Sequence, residues 1–333
     1  MAEKLHQSHF KVIIVGGSIT GLTLANALSR MKIDFLVLET RDVISPCLGA
    51  ASMIPNGTLY AWQENGRLLS KCDTLNVVQD RHGYPAGWID RGQLLQILLN
   101  HIYEKEKILL RKRFVKAEHC AEGIIAHCSD GSSFKGDIII GADGVHSSVR
   151  QDMWQHMKDD RLEEILDTDE TAMTAEYSCV YGVSKAVAGI EDGVTHRTMG
   201  RGFSFLLTPG TKNHFYWYLT VKMDKQYRSP HIPRYNKSEI EAHISRYLEQ
   251  EVAPNIRLKS IYDNTTYCHY APLEEATYEH WTWRQVVCLG DSIHKANDSY
   301  FGPWRQYCHR KCRVIGKLPG FYDEITICFT PLG

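Results

Sequence analysis

Residues 10–39 read FKVIIVGGSITGLTLANALSRMKIDFLVLE, and this stretch decides the fold. Val12 to Val15 form a continuous apolar run of the kind that fills a strand buried on both faces. The turn GGSITG follows. Leu22, Leu24, Ala25, Ala27 and Leu28 then recur at helical spacing, and Phe35 to Leu38 form a second apolar strand with Glu39 at its end. Strand, glycine turn, helix, strand and terminal acid are the parts of a βαβ unit that binds a dinucleotide. Gly16 allows the sharp turn. Gly17 continues it, and Gly21 lets the helix lie close to the strand. The helix N-terminus offers free N–H groups and the positive end of its dipole to a pyrophosphate. Glu39 stands where an acid takes a ribose diol. The middle glycine of the usual G-x-G-x-x-G is replaced by Ser18, so the pattern is imperfect.

The bulk of the chain narrows the field. With 38 Lys plus Arg against 39 Asp plus Glu over 333 residues, no general field draws the chain to nucleic acid or an anionic membrane. A 43% hydrophobic content supports a sizeable core. The 10 cysteines are scattered and read as reduced thiols of a cytoplasmic protein. No metal-ligand spacing stands out; Cys308, His309 and Cys312 come nearest. No apolar run reaches the roughly 18 residues that span a bilayer, and MAEKLHQSHF has no apolar signal core.

Three later stretches repeat the theme of a strand ending in a polar turn. In WIDRGQLLQILL (88–99), Asp90 is placed to cap a helix, and Arg91 sits in its first turn. A helix dipole disfavours a cation there, and a nearby anionic ligand would account for it. In DIIIGADGVHSSVR (137–150), a buried strand runs into Asp143-Gly144 and a new helix; an ordinary turn with an aspartate cap has the same residues. In VVCLGDSIH (286–294), a buried strand again ends in Gly-Asp, and Asp291 is placed to hold a sugar-alcohol chain.

Taken in order, GGSITG with Glu39, DR at 90–91, GADGVHSSVR and LGDSIH resemble the flavoprotein monooxygenases of the p-hydroxybenzoate hydroxylase type. GAASMIPNG (49–57) and HFYWYLTVKM (214–223) resemble the fungal branch of paxilline- and meroterpenoid-pathway epoxidases. The resemblance covers about residues 8–295. It implies an α/β fold: a Rossmann-like FAD-binding domain with an interleaved substrate domain on a mostly antiparallel sheet. The expected division is 8–70 and 71–172 for the FAD-binding domain, 173–275 for the substrate domain, 276–295 for a return to the FAD domain, and 296–333 for an atypical tail. The resemblance implies that Glu39 binds the adenosine ribose and that Gly49 lies beside the flavin or its linker. It places Arg91 at the phosphates, Asp143 and Gly144 in a motif shared by FAD and NAD(P)H, Asp291 on the ribityl chain, and Tyr216 in a catalytic role.

The middle of the chain has its own signal. In 214–223, Tyr216, Tyr218 and Thr220 share one face of a strand, while Phe215, Trp217, Leu219 and Val221 share the other. One face is core, and the other is free to form the ceiling of a substrate pocket. The activity that the resemblance implies is an FAD-dependent monooxygenase using NAD(P)H and O2, which epoxidises a prenyl double bond of a fungal secondary metabolite. An aromatic hydroxylase is the alternative. Trp281-Thr282-Trp283 has the form of a halogenase signature, but it adjoins the strand before Asp291 and reads as packing. Members of the branch it resembles often carry C-terminal membrane helices; no spanning segment is expected in this chain.

From residue 296 the family's glycine loop gives way to ANDSYFGPWRQYCHRKCR. Reading the codons one base on permits M-T-P-x-x-G-x-G-G-N-x-A-I-E-N-A in its place. The tail is therefore expected to be out of frame, with a natural divergent C-terminus as the alternative. A chain that truly ends this way would be a catalytically dead FAD-binding remnant.

Overall fold

The computed structural model describes residues 10–44, 50–51, 58–73, 80–81, 83, 89–191, 193–210 and 213–295. Gly49 and the tail 296–333 lie outside them. Lys11–Val15 and Asp34–Leu38 run parallel, Ile13 beside Leu36 and Val15 beside Leu38. The helix Ile19–Met31 joins them and buries Gly21, Leu22, Leu24, Ala25 and Leu28. Ile138–Gly141 extends the sheet on the other side, followed by Val286–Cys288, again parallel. Thr282–Trp283 closes that edge antiparallel, and Ile108–Leu109 closes the opposite edge parallel. The parallel strands therefore deliver their carboxyl ends, and the turns GGSITG, Glu39, GADG and LGDS, to one side of the sheet.

Each strand is apolar on both faces because both faces are covered. Ile13, Val15, Leu36, Leu38 and Ile139 pack with Phe114, Ala117, Ile124 and Ala126 of a three-stranded antiparallel sheet. Val149, Met153 and Met157 of the helix Ser148–Asp159 complete this core. Trp281 and Trp283 pack against it, which accounts for the Trp-x-Trp pair.

One histidine sits awkwardly at the rim of this core. His119 Nδ1 is bonded to Gln285 Oε1 at 2.7 Å, its ring lies edge-on to His156, and its buried Nε2 has no partner. Burial lowers its pKa; Gln285 and Asp152 oppose this, while His156 and Arg284 reinforce it. The unfolded chain, with an ordinary histidine near 6.5, therefore takes the proton first. The group favours folding above that value, and its contribution drains away as pH falls from there through the lower pKa of the folded state. Urea midpoints measured from pH 7.5 to 5.5 are expected to decline less steeply in His119→Gln than in the parent; equal slopes would refute this.

The second sheet has eight strands in the order His294–Lys295, Thr265–Thr277, Thr174–Lys185, His214–Arg228, Phe203–Pro209, Val194–Met199, Thr58–Gln63 and Leu68–Cys72. Neighbours are antiparallel except Val194–Met199 with Thr58–Gln63, which run parallel, so the sheet is mixed. The sheet draws two strands from the 8–70 and 71–172 spans as well as those from 173–275. Phe205, Leu207, Phe215, Trp217 and Leu219 bury one of its faces against Ile244, Val252, Ile256, Leu258 and Ile261. The alternation in 214–221 thus yields a core face, as its period requires. Among the described residues no helix is long and apolar enough to cross a membrane.

Candidate functional site

The site begins with the turn after the first strand. The Gly16 N–H donates to the Leu38 carbonyl, the Ala142 N–H to Val15 and the Leu289 N–H to Gly141, each at 2.8 Å. The strand ends are thus stitched together just where they stop pairing. Gly16 holds φ +112°, and a side chain there would run into the Ala142 carbonyl. A side chain on Gly21 would fall on the Gly16 carbonyl oxygen. The two glycines therefore satisfy close approach between turn, helix and neighbouring strand.

The Gly17 N–H donates to Glu39 Oε2 at 2.7 Å, and the Arg41 N–H to Oε1 at 2.9 Å. Glu39 is 8% exposed. Each carboxylate oxygen has lone-pair capacity beyond that one bond, so the acid is oriented by the backbone and can still accept from a diol.

Ser18 caps the helix Ile19–Met31 by position, with extended backbone, yet its side chain makes no cap bond. Its Oγ instead accepts from Arg91 Nη2 at 2.6 Å. The serine that broke the glycine pattern is thus the partner of the cation that broke the dipole rule. Arg91 opens the helix Arg91–Asn100, whose cap is Asp90: Oδ1 accepts from the Gly92 and Gln93 N–H groups at 2.8 and 3.1 Å. Burial lowers the Arg91 pKa, Asp291 and Tyr181 oppose that, and Arg41 adds to it. A desolvated guanidinium at a helix N-terminus, bonded to a neutral hydroxyl, is a site shaped for an anion.

Asp291 sits in the turn Gly290–Ser292, where Gly290 lies against Thr20 of the first helix. The turn is anchored from beneath. Ser292 Oγ donates to the Gly141 and Leu289 carbonyls at 2.8 and 2.6 Å. Arg150 Nη1 donates to the Ser292 carbonyl and Nη2 to Val145 at 2.8 Å. Arg150 is 3% exposed, its guanidinium 4.2 Å from the Tyr278 ring centre and 5.2 Å from that of Trp154. It positions the Asp291 turn, a role the sequence reading missed. Asp291 itself is half-exposed, 3.3 Å from Lys295 Nζ.

Asp143 accepts from Ser147 Oγ at 2.5 Å, Ser148 N at 2.7 Å and Val149 N at 3.2 Å. It therefore serves the start of the helix Ser148–Asp159. Burial raises its pKa, and these bonds hold it down. Gly144 holds φ +85° in open space, so the turn needs its backbone freedom rather than room.

The second sheet presents its other face to this site. Tyr216 pairs across the strands with Thr208 and Val183, and the next row aligns Leu206, Tyr218, Tyr181 and His269. Tyr181 lies 6.4 Å from Tyr218, 6.1 Å from Tyr267 and 5.5 Å from His269 by ring centres. Burial pushes the Tyr181 and Tyr218 pKa values well above the ordinary phenol range, so both stay neutral. Tyr216 is 5% exposed and its hydroxyl donates to Asp90 Oδ2 at 2.8 Å.

Gly16, Gly17, Gly21, Glu39, Arg91 and Asp291 thus converge, with Asp143 and Gly144 one turn away. The set offers groups that suit FAD: a close-packed glycine turn, a carboxylate able to accept from a diol, a desolvated cation and a half-exposed acid.

Comparisons with known proteins agree. A family described as an NAD(P)-binding Rossmann-like domain matches residues 14–60. The chain is 41% identical over 291 residues to the FAD-dependent monooxygenase BOA8 of Botryotinia fuckeliana, covering 86% of this chain and 36% of that protein. It is 31% identical over 316 residues to the FAD-dependent monooxygenase dpchE of Colletotrichum higginsianum, covering 87% of this chain and 67% of that one. The chain thus spans from about a third to two thirds of the curated relatives it matches. Among solved structures, Klebsiella pneumoniae HpxO complexed with FAD and uric acid is similar in fold, with a TM-score of 0.67 at 21% identity over 87% of this chain and 74% of that one.

Proposed function

The chain belongs to the FAD-dependent monooxygenases, and from that premise we propose that it uses NAD(P)H and O2 to epoxidise a prenyl double bond of a fungal secondary metabolite, a meroterpenoid or indole diterpene. The observation that carries the reading is the desolvated Arg91 guanidinium bonded to Ser18 at the start of the first helix, with its neighbour Asp90 tied to Tyr216 of the second sheet. FAD, when bound, would supply the redox chemistry, hydride acceptance and oxygen activation. This chain's residues do the rest. Glu39 binds the adenosine ribose, the first helix and Arg91 hold the phosphates, and Asp291 holds the ribityl chain. The rings of Tyr181, Tyr218 and Tyr267 offer a surface for an isoprenoid, and the sheet behind them excludes water. The fungal sources of the relatives support the substrate class. A cytoplasmic protein at a membrane surface would meet such an apolar substrate where it partitions. The same ring patch also suits a flat aromatic substrate, so hydroxylation of a ring is the second reading.

The test has two parts. Flavin fluorescence titration should show saturable FAD binding, weakened about tenfold in Asp291→Ala for the loss of a carboxylate acceptor. NADPH consumption should accelerate with a prenylated indole or phenol and not with its saturated-chain analogue. Full affinity in Asp291→Ala would remove its ribityl role. Equal stimulation by the saturated analogue, with a hydroxylated ring as product, would favour the second reading.

A further inference from the structure

We infer that Tyr216 is a positioning residue: its hydroxyl, acting through Asp90, holds the Arg91 helix against the cofactor site. The inference rests on the proposed role of Arg91 at the FAD phosphates. It differs from the catalytic role that family resemblance implies for this tyrosine.

The contacts form a continuous strap. Tyr216 stands in the long strand His214–Arg228, 5% exposed, between Thr208 and Val183 on the neighbouring strands. Gly210 lies against its ring; a side chain there would come within 2.6 Å of Cε2 and 3.1 Å of Cδ2. The ring thus has little room to turn. Its hydroxyl donates to Asp90 Oδ2 at 2.8 Å. Asp90 Oδ1 accepts from the Gly92 and Gln93 N–H groups, so one carboxylate oxygen engages the sheet and the other the helix. The next residue is Arg91, which reaches Ser18 Oγ at 2.6 Å. Sheet, cap, arginine and first helix are linked in series by residues 126 and 73 positions apart.

A capping carboxylate bonded only to its own helix could rotate with it. The phenol fixes the plane of Asp90 from outside the helix, and with it the direction in which Arg91 leaves the first turn. A bond to a charged acceptor is also among the stronger ones a tyrosine makes. Using this hydroxyl on a substrate would require releasing it.

The experiment uses the whole chain with Tyr216→Phe, Asp90→Ala, their combination and Gly210→Ala. FAD dissociation constants come from flavin fluorescence, and amide exchange at Gly92 and Gln93 is measured without FAD. Tyr216→Phe is expected to raise the FAD Kd about tenfold and to speed exchange at those two amides while core amides keep their rates. In the Asp90→Ala background, Tyr216→Phe should add nothing, which is the mark of one shared linkage. Gly210→Ala, which presses chiefly on the ring and also on the His214 carbonyl, should reproduce part of both effects. Unchanged affinity and exchange in Tyr216→Phe would overturn the inference, as would full additivity with Asp90→Ala. A uniform rise in exchange across the sheet would overturn it in favour of a structural role. If the parent chain takes up no FAD, the proposed function fails, and exchange at Gly92 and Gln93 still decides the strap.

Discussion

Arg91→Leu is expected to weaken FAD binding about a hundredfold and to leave the cofactor-free protein as stable as before. Burial disfavours the charged guanidinium, its bonded partner Ser18 is neutral, and the opposing charge of Asp291 sits half in solvent. Without an anion the desolvation of Arg91 is poorly compensated, so an apolar replacement costs the empty site little. With FAD bound, the guanidinium would meet phosphate. A charge-assisted bond of about 1.5–3 kcal/mol corresponds to roughly 10- to 150-fold in affinity. Arg91→Lys should fall between the two, since lysine keeps the charge and loses the planar fork. Fluorescence titration gives the affinity, and thermal melts with and without FAD give the stability. A large drop in the melting temperature of the free protein, with FAD affinity intact, would reassign Arg91 to the architecture.

Trp217→Ala should lower the unfolding free energy by about 3–5 kcal/mol, the range for truncating a large buried aromatic. Trp217 is 2% exposed and lies over Gly182, where any side chain would collide with the indole. Its Nε1–H donates to Ser184 Oγ on the neighbouring strand at 2.9 Å and also approaches Thr265 Oγ1, one strand further on, at 3.2 Å. Alanine would open a cavity between the sheet and the helices beneath it and strip both hydroxyls of a donor. Trp217→Phe, which keeps most of the ring and loses the N–H, should cost about 1–3 kcal/mol. Urea denaturation followed by tryptophan-independent far-UV dichroism would measure both. Equal costs for the two variants would show that the hydrogen bonds dominate and the packing does not.

Several elements were legible in the chain because independent constraints coincide there. Around Gly16 and Glu39, strand period, glycine spacing and the position of an acid all agree, and the structure joins them through the Gly17–Glu39 bond. The two-residue period of 214–221 separated Phe215, Trp217 and Leu219 from Tyr216 and Tyr218. Arg91 stood out as a cation in a helix's first turn, and the structure supplies the context. Arg150 carries the same signal, third in the helix Ser148–Asp159, and could have been singled out on that ground. Its partners could not: two carbonyls and two rings from other elements leave no pattern in a linear text. Asp143 allowed two readings, and geometry alone reveals the three donors of its capping role. The Tyr216–Asp90 bond was unreadable, because it depends on the register of a mixed sheet whose strands do not pair in chain order.

That register also governs how the molecule is made. Thr58 pairs with Val194 and Gln63 with Met199, partners 136 residues apart, in the one parallel junction of the large sheet. During synthesis the hairpin of Thr58–Gln63 and Leu68–Cys72 emerges long before its partner strand exists. An isolated two-stranded ribbon is marginal in water, and this one has Leu68 and Leu69 exposed at 46% and 44% even in the finished fold. Closing so distant a contact is slow. For the time it takes a ribosome to add more than a hundred residues, the nascent hairpin presents an unpaired edge and two exposed leucines.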